Sequence, residues 1–355
     1  MALDLVTFTN HLSTLITLPA QNRIAVAVSG GPDSMVLCHL MSHITPNITA
    51  LIVDHGLRAE SAEEADLTKN RLLTFGITSE ILRWSGDKPK TRIQETARQA
   101  RHRLLQDWCQ EQGVIYLFMA HHFDDQWETL YMRLRHGSGP QGLMGIQPLS
   151  FRSFGLVIRP LLSTSKSDIL GYADELNIPY VTDSSNTNPV FERGRIRQNP
   201  VTAEQKLPRS SVPKLIQEAQ DKTQGIVSLA TTFILNHLII YPSGVITLNR
   251  RAFYNLAREA RYYLIQKISS AVLDYPYPMP KSKIDKLVQD LLSGRRSTLA
   301  GWLYTPRQNQ ILITREQRGW GDLTFIPHKS YDHNFPSYAI RPSDRSWIQF
   351  KNPLT

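Results

Sequence analysis

The sequence predicts an α/β protein with a doubly wound, mostly parallel sheet, followed by a smaller, mainly helical and basic C-terminal domain. Over about the first 200 residues, short apolar runs rich in β-branched residues alternate with segments of helical periodicity. Alternating strands and helices of these lengths favour a parallel sheet with helices on both faces. Beyond that point the alternation ends and positive charge accumulates.

The predicted elements follow one another in chain order. Strands are predicted at residues 24–28, 49–55, 78–84, 115–122, 156–162 and 178–183. Helices are predicted at residues 35–41, 62–76, 93–113, 124–134 and 166–177. In residues 93–113, apolar side chains recur near a 3.6-residue period and leave Arg98, Arg101 and His102 on a different side. Each strand therefore ends where a loop leads into a helix.

The later part of the chain has a different pattern. Residues 200–213 contain proline and lysine and are predicted to be a linker, and residues 214–295 are mainly helical in pattern. Residues 297–316 are typical of a β-hairpin with its turn near Gln308 and Asn309. No internal repeat is found.

Charge divides the chain unevenly. Residues 1–205 contain 19 Lys and Arg against 21 Asp and Glu, a formal charge of −2, and residues 206–355 contain 21 against 10, a charge of +11. A basic region of this kind suits binding to a polyanion such as RNA, although a merely solvated basic surface is an equal alternative. We therefore predict two domains, 1–205 and 206–355.

Several classes of protein are disfavoured. Cys38 and Cys109 lie far apart and form no Cys/His ligand cluster, so neither a zinc site nor an iron–sulfur site is indicated. The apolar amino end carries Asp4 and lacks a basic leading segment, which favours an amphipathic helix over a signal peptide. No run is long and apolar enough to span a membrane. We expect a cytoplasmic protein with reduced core thiols and no membrane partner.

The strongest motif is a loop of six residues, Ser29-Gly30-Gly31-Pro32-Asp33-Ser34, between a predicted strand and a predicted helix. Glycines let backbone amides approach an anion, proline fits a first helical turn, and a helix N-terminus adds partial positive charge. No Gly-Lys-Ser/Thr follows, so the loop differs from those that transfer γ-phosphates. The simpler alternative is a tight glycine turn, but the combination favours a pyrophosphate site.

This loop resembles the SGGxDS loop of the N-type ATP pyrophosphatases, which have an adenine nucleotide alpha hydrolase-like fold. Further motifs follow in order: VDHGLR at 53–58, QETARQAR at 94–101, HHFDDQWET at 121–129, GSGPQGLMG at 137–145, RPLL at 159–162 and DSSN at 183–186. In combination they resemble the tRNA(Ile)-lysidine synthase family over about residues 22–200. His102 departs from the tyrosine that the family usually has there.

The resemblance implies a two-step reaction. ATP, with Mg²⁺, adenylates the C2 oxygen of the wobble cytidine of the CAU-anticodon isoleucine tRNA, and free L-lysine then displaces AMP to give lysidine. Two alternatives stay open: another tRNA-modifying or amide-forming ATP pyrophosphatase, and a catalytically inactive RNA-binding relative. No protein partner is implied, and the oligomeric state, monomer or homodimer, stays open.

The resemblance and the residue chemistry together give a set of expected site residues. For catalysis we expect Asp33, His122, Asp124, Asp125, Arg98 and Arg101. For ATP we expect Ser29, Gly30, Gly31, Pro32, Asp33, Ser34, Asp54, His55 and Arg58, with Asp33 and Asp125 as Mg²⁺ ligands. Helix capping by the acidic residues and a solvated basic face for the arginines are the simpler alternatives.

The expected tRNA and substrate contacts lie on loops and in the basic region. They are Gly137, Ser138, Gly139, Asp183, Asn186, Arg193, Arg195, Arg197, Arg250, Arg251, Arg295 and Arg296. A plain glycine loop at 137–139 and an Asx-rich turn at 183–186 are the structural alternatives.

Overall fold

The computed structural model describes residues 3–19, 21–57, 60–86, 93–181, 192–241, 244–273 and 279–315, and two short strands at 326–327 and 338–339. Contacts divide the chain into two compact units, Met1–Gln220 and Asp221–Thr355. The division predicted after residue 205 falls within the first unit.

The first unit is built from alternating strands and helices. Its strands are β1 (Ile24–Val28), β2 (Ile48–Asp54), β3 (Thr78–Arg83), β4 (Tyr116–Met119), β5 (Leu149–Arg152) and β6 (Gly155–Ile158). Its helices are α1 (Leu5–Leu15), α2 (Pro32–Ser42), α3 (Ser61–Thr74), α4 (Ile93–Glu111), α5 (Phe123–Arg135), α6 (Pro140–Leu143), α7 (Lys166–Glu175), α8 (Glu192–Gln198) and α9 (Pro200–Lys206). A 3₁₀ turn at Arg209–Ser211 then leads into α10 (Val212–His237), which continues past the end of this unit.

The six strands form one sheet in the order β3-β2-β1-β4-β6-β5. All neighbouring pairs are parallel except β5 and β6, which form an antiparallel hairpin at the edge. The predicted mostly parallel sheet is therefore confirmed. The chain runs outward from β1 to β3 and then returns to β4 on the other side of β1, so the strand order reverses between β1 and β4. In open sheets of this kind, ligands bind outside the carboxyl ends of the two strands at such a reversal.

Apolar side chains bury both faces of the sheet. On one face Val26 of β1 packs with Leu37 and Leu40 of α2, and the predicted amphipathic helix α1 buries Phe8 and Leu12 in the same cluster. On the other face the cluster comprises Ala25, Leu51, Leu105, Trp108, Cys109, Val114, Leu117, Met119, Phe154 and Val157. Two-sided burial explains why the parallel strands are continuous apolar runs. The α2 face and the α4 face are named below by these helices.

Both cysteines are buried and free, as predicted. Cys38 lies in the core of the α2 face and Cys109 in the core of the α4 face. Burial raises the pKa of the Cys109 thiol to about 12, which disfavours the reactive thiolate.

Two sequence-based predictions for the first unit were wrong. Residues 178–181 of the predicted strand 178–183 have no regular structure, and the remainder lies outside the described residues. Pro179 lacks a backbone N–H, and Val181 makes a single hydrogen bond, to the Gly30 carbonyl at 2.8 Å, rather than a ladder.

The second wrong prediction is the linker at residues 200–213, which is folded. Pro200 starts α9 at its first position, where a missing N–H costs no helical hydrogen bond. Ala203, Leu207 and Val212 are buried against Trp127 of α5. Proline here begins a helix instead of interrupting structure.

The second unit combines helices with an antiparallel sheet. It contains α11 (Arg250–Asn255), α12 (Arg258–Leu273), α13 (Lys281–Leu292), β7 (Leu238–Ile240), β8 (Ile246–Asn249), β9 (Ser297–Leu299), β10 (Trp302–Pro306), β11 (Gln310–Arg315), β12 (Ile326–Pro327) and β13 (Tyr338–Ala339). The first five strands form one sheet in the order β7-β8-β11-β10-β9, and β12 pairs with β13.

The predicted hairpin at 297–316 is confirmed, because β10 and β11 pair on either side of residues 307–309. The prediction of a mainly helical region was incomplete, since it missed β7 and β8. These strands have only three and four residues, too few to show a period. Within the described ranges, no helix has both the length and the apolar character needed to cross a bilayer.

Gly155 provides a test of the packing at the sheet edge. Its φ is +150°, and a Cβ there would lie 2.3 Å from the backbone carbonyl oxygen of Ile115, which cannot move cheaply. We expect Gly155→Ala to lower the free energy of unfolding by about 1–3 kcal/mol, measured by urea denaturation. Gly171→Ala is the matched control, because nothing lies within 4 Å of its Cβ position in α7. It should raise stability by about 0.4–1 kcal/mol, and equal effects of the two changes would contradict this account.

Candidate active site

The loop between β1 and α2 has the features of an anion-binding turn. Gly30 has a φ of +81°, and a Cβ there would lie 2.5 Å from Thr68 Oγ1, so glycine is required both by conformation and by space. Gly31 is the N-cap of α2 and Pro32 is its first residue. The first backbone N–H groups of a helix lack partners within it and carry partial positive charge. Here they face the reversal of strand order, where a phosphate can bind.

Hydrogen bonds hold this loop in place from two sides. Ser34 Oγ accepts a hydrogen bond from the Ser29 N–H at 3.1 Å and donates one to the Gly31 carbonyl at 3.0 Å. The Val181 N–H donates to the Gly30 carbonyl, which ties the loop to the segment after α7. The backbone of the loop is therefore ordered before any ligand binds.

A second set of polar residues follows β4, the strand next to β1. Side chains alternate between the two faces of a strand, so Leu117 and Met119 point to the α4 face and Phe118 to the α2 face. The alternation continues past the strand end and sends His121 and His122 to opposite faces. His122 is 5% exposed and caps α5, with its N–H donating to Asp125 Oδ2 at 3.2 Å.

The His122 side chain lies among three carboxylates. Its Nε2 is 3.8 Å from Asp33 Oδ2 and 3.6 Å from Asp125 Oδ2, and its Nδ1 is 3.6 Å from Asp124 Oδ2. Burial disfavours the imidazolium, but the nearby carboxylates of Asp124, Asp125 and Asp33 outweigh burial and raise the pKa of His122. The structure thus brings together four residues predicted to be catalytic, and we call them the acidic centre.

Lys166, which the sequence analysis did not single out, contacts this centre twice. Its Nζ lies 2.5 Å from Asp33 Oδ1, and its backbone N–H donates to Asp124 Oδ2 at 2.8 Å. Lys166 is the first residue of α7, where a positive side chain is disfavoured by the helix dipole. That unfavourable position, four residues after the end of the RPLL motif, was the available signal that this lysine has a carboxylate partner.

Arg209 also contacts the acidic centre. Its Nη1 donates to Asp124 Oδ1 at 2.5 Å, and its guanidinium lies 4.5 Å from the centre of the Trp127 ring. The Trp127 Nε1 donates to the Leu207 carbonyl, which fixes the ring. Burial raises the pKa of the Asp124 carboxyl, but the neighbouring imidazole of His122 and the hydrogen bonds from the Lys166 backbone N–H and Arg209 outweigh burial and place the pKa well below its usual value. Asp124 is therefore ionised at neutral pH.

Glu128 extends the acidic centre along α5. It is 3% exposed, and Arg197 of α8 binds it through two hydrogen bonds of 2.6 and 3.1 Å. Arg197 also lies 3.4 Å from Asp125 Oδ1, and Arg193 donates to Thr129 Oγ1 at 3.0 Å. Of the three arginines predicted to contact RNA in this segment, two therefore bind α5, and Arg195 is exposed.

The other predicted site residues of the first unit lie at several places. Asp54, at the end of β2, is buried and accepts a hydrogen bond from the Gly56 N–H at 2.9 Å, and the neighbouring His55 ring lies edge-on to Trp84. Gly137 has a φ of +64° at the end of α5, and Gly139 caps the short helix α6. Arg58, Asp183 and Asn186 lie outside the described residues.

Arg98 and Arg101 lie on α4, on the face opposite α2. Arg98 is exposed, whereas Arg101 is partly buried. Burial and the neighbouring charge of Arg98 lower the pKa of Arg101. The structure places these two arginines on the side of His121 rather than with His122.

In the second unit, two arginine pairs that are distant in sequence lie at the same edge of the sheet. Arg250 and Arg251 follow the end of β8, and Arg295 and Arg296 precede the start of β9. The antiparallel directions of β8, β11, β10 and β9 place this end and this start on one edge. Arg251, Arg295 and Arg296 are exposed, and Arg250 donates to the Arg307 carbonyl at 2.9 Å.

The raised pKa of His122 leads to a prediction about stability and pH. Because the pKa is higher in the folded chain, the imidazolium stabilises the fold fully below its ordinary value of 6.5, and this contribution is lost as the pH rises through the folded pKa. We expect His122→Gln to destabilise the protein more at pH 6 than at pH 9, measured by urea unfolding. His43→Gln, at the exposed end of α2, is the control and should show no such trend. A loss for His122→Gln that grows with pH would contradict the assignment.

Residues 5–204 match the PP-loop domain family. The chain is 40% identical to the tRNA(Ile)-lysidine synthase of Methylobacterium nodulans over 198 residues, which cover 55% of this chain and 58% of that one. It is 33% identical to the tRNA(Ile)-lysidine synthase of Bradyrhizobium sp. strain BTAi1 over 329 residues, 83% of this chain and 92% of that one. For the Rhodopseudomonas palustris tRNA(Ile)-lysidine synthase, the identity is 36% and the coverage is 70% and 74%.

Among solved structures, the U34-tRNA thiolase of Methanococcus maripaludis is similar with a TM-score of 0.51 and 19% identity, over 62% of this chain and 78% of that one. At this identity the likeness concerns the fold alone. The family match and the long alignments above 30% identity bear out the resemblance found in the sequence. The chain belongs to the PP-loop domain family and, within it, to the tRNA(Ile)-lysidine synthase family.

Proposed function

We propose that this chain ligates L-lysine to C2 of the wobble cytidine of the CAU-anticodon isoleucine tRNA in the cytoplasm. ATP adenylates the base with release of pyrophosphate, and lysine then displaces AMP. The observation that carries the proposal is the meeting of Asp33, from the glycine loop, with His122, Asp124 and Asp125, from the end of β4. This places an anion-binding turn beside ionised carboxylates in a member of the lysidine synthase family.

The first step needs positive charge on the departing pyrophosphate. The glycine loop contributes backbone N–H groups but no lysine, and Lys166 lies against Asp33 at the start of the neighbouring helix α7. We assign to Lys166 the contact with phosphate that a lysine within the loop makes in other nucleotide-binding turns.

Mg²⁺ fits the donor set of the acidic centre. Asp33 and Asp125 both lie within 4 Å of the same nitrogen of His122, so their oxygens converge on one place. Mg²⁺ commonly binds one or two carboxylates together with substrate phosphates. When bound, the ion would neutralise charge on the leaving pyrophosphate.

The second step needs an oriented amine that can lose a proton. The contact between Lys166 and Asp33 supports the capacity of this centre to bind an ammonium group. We assign the orientation of the substrate ε-ammonium to Asp124 and Asp125, and the acceptance of its proton to His122. The buried position of the imidazole excludes bulk water from this transfer.

The RNA would be held by the basic second unit. Arg250, Arg251, Arg295 and Arg296 lie at one edge of its sheet, and residues 221–355 contain 18 Lys and Arg against 9 Asp and Glu, a formal charge of +9. Phosphate contacts of this kind give affinity with little sequence information. The anticodon loop is single-stranded, so its wobble base can be turned out without opening a helix.

Direct analysis of the reaction product tests the function. The protein is incubated with ATP, Mg²⁺, lysine and the isoleucine tRNA, and the anticodon nucleoside is analysed by mass spectrometry. We expect a wobble cytidine that has gained lysine with loss of water, and AMP formation that requires both tRNA and lysine. AMP formation that requires a different nitrogen or sulfur donor would assign another reaction of the PP-loop class. Tight tRNA binding without any AMP would indicate an inactive relative.

Replacing the carboxylates of the acidic centre should abolish activity while preserving the fold. We expect Asp33→Asn and Asp125→Asn each to lower the rate of AMP formation by about 100-fold or more, because charge stabilisation at the reacting phosphate is lost. The control is Asp107→Asn, on the exposed side of α4, where the carboxylate pairs only with Arg103 among its described neighbours. Rates for the two centre variants within a factor of three of the control would contradict the assignment.

Lys166 has its own test. We expect Lys166→Met to lower kcat/KM for ATP by about tenfold or more, with Lys166→Arg recovering part of the loss because it retains a positive donor. Lys69→Met, an exposed lysine of α3, is the control. A Lys166→Met variant with unchanged kinetics for ATP and only a lower melting temperature would reduce Lys166 to a structural partner of Asp33.

A further inference from the structure

Positive side chains collect on the α4 face of the sheet, beside the acidic centre. Arg159 follows β6, His121 follows β4, and Arg101 lies on α4. Arg159 lies two residues after Val157, and His121 lies two residues after Met119. Because side chains alternate between the two faces of a strand, Arg159 and His121 lie on the same face as Val157 and Met119, which is the face that α4 covers. We call Arg101, His121 and Arg159 the arginine pocket. The ionisable groups around it are Arg98, His102, Arg152 and, next to His121, Asp125.

Arg159 is the most buried member of the pocket, with 7% exposure. Its Nη1 donates to the Gln147 carbonyl and to Ser150 Oγ, each at 2.9 Å. Its Nε is buried and has no partner among the described residues. Burial, and then the charges of Arg152 and Arg98, lower the pKa of Arg159 to about 10. The guanidinium is held in place but its charge is not neutralised within the described structure.

The positive charge of Arg101 is compensated even less than that of Arg159 by the described residues. Its buried Nε has no hydrogen-bond partner in the described part of the chain, and no ion pair forms to this side chain there. The influences on its pKa are burial and the like charge of Arg98, and both disfavour the charged form. Arg103, two residues further along the same helix and therefore on a different side of it, shows the ordinary situation: it is exposed and lies 3.5 Å from Asp107.

His121 connects the pocket to the acidic centre. Its Nδ1 is buried without a partner among the described residues. Burial and the charges of Arg159, Arg101 and Arg98 lower its pKa to about 3, although the charge of Asp125 acts in the opposite direction. His121 is therefore neutral at pH 7, and the positive charge of the pocket belongs to its arginines.

Buried cations without anions are costly, since each loses hydration that nothing replaces. An anion that enters this pocket would recover that loss, and the planar donor fork of arginine matches a phosphate in particular. The phosphates of ATP are assigned to the glycine loop, which leads into α2 on the opposite face of the sheet. Free lysine is disfavoured because its ammonium groups would be repelled by several guanidinium groups.

We propose that the arginine pocket binds a backbone phosphate of the substrate RNA next to the target nucleotide. This rests on the proposed function in that it takes the RNA as substrate. His121 and His122 are neighbours just after β4, so a phosphate held at His121 leaves the attached base within reach of His122 and Asp125 on the other side of the strand end. The pocket thus fixes the nucleotide by its backbone while the acidic centre acts on its base.

The test uses Arg101→Met, with Arg103→Met as the matched control on the same helix. Because no described residue neutralises the charge of Arg101 in the free protein, we expect Arg101→Met to keep or raise the melting temperature. We also expect it to weaken binding of an anticodon stem-loop RNA by about tenfold or more. Arg103→Met should change neither property by a comparable amount. A lower melting temperature with unchanged RNA affinity would overturn the proposal.

A second measurement identifies the bound group. Stem-loops carrying one uncharged methylphosphonate linkage on either side of the wobble nucleotide are compared between the wild-type protein and Arg101→Met. One of these linkages should weaken binding to the wild type. It should have little effect on the variant, because the guanidinium that would contact this phosphate is already missing there. Equal losses in both proteins would overturn the proposal. It would also be overturned if Arg101→Met lowered the affinity for ATP or increased the KM for lysine without changing RNA binding.

These measurements separate the proposal from the proposed function. Binding of the stem-loop does not require lysine or ATP, so a protein that binds RNA through Arg101 but makes no lysidine would contradict only the function. A protein that makes lysidine and binds RNA independently of Arg101 would contradict only the pocket.

Discussion

The alternation of side chains at the carboxyl end of β4 is the constraint on which the site depends. Two consecutive histidines follow this strand, and because neighbouring residues point to opposite faces, one lies with the glycine loop and the other with α4. The reversal of strand order between β1 and β4 opens a crevice at the same place. One strand end therefore serves two chemically different surfaces, and a shift by one residue would exchange them.

The two surfaces differ in how their charges are balanced. On the α2 face, two carboxylates of the acidic centre and Glu128 are bound by Lys166, Arg209 and Arg197, at 2.5, 2.5 and 2.6 Å respectively. Each of these carboxylates therefore has a cationic partner, which an isolated buried carboxylate would lack. On the α4 face, Arg101 and Arg159 have no comparable acidic partners among the described residues. The charges of the first surface are paired by side chains of the protein itself, whereas the second surface needs an added anion to balance its charge.

Much of the first unit could be predicted from sequence because its signals are local. The glycine loop and the HHFDD motif stand at strand ends, and parallel strands bring such ends to one edge of the sheet without any knowledge of distant contacts. Lys166 and Arg209 could not be assigned to the site in the same way, since each meets its carboxylate across a long stretch of chain. The linker prediction for residues 200–213 failed for a related reason, because the burial of Leu207 depends on the distant Trp127. In the second unit the short strands β7 and β8 have too few residues for a period, and they are defined only by the pairing of β8 with β11 and of β7 with β8.

The ion pairs of the acidic centre also bear on the order of events in the proposed reaction. Lys166 and Arg209 pair with Asp33 and Asp124 before any substrate is present. Under the proposed roles, a lysine ammonium that binds Asp124 would therefore exchange with Arg209 instead of adding to an empty anionic site. Such an exchange changes the net charge of the centre little and avoids the cost of leaving a buried carboxylate unpaired. In the same way, Mg²⁺ at Asp33 would take the place of Lys166, whose ammonium would then be available to the phosphates held at the glycine loop. Binding of the metal ion and stabilisation of the leaving pyrophosphate would thereby be linked through the side chain of Lys166.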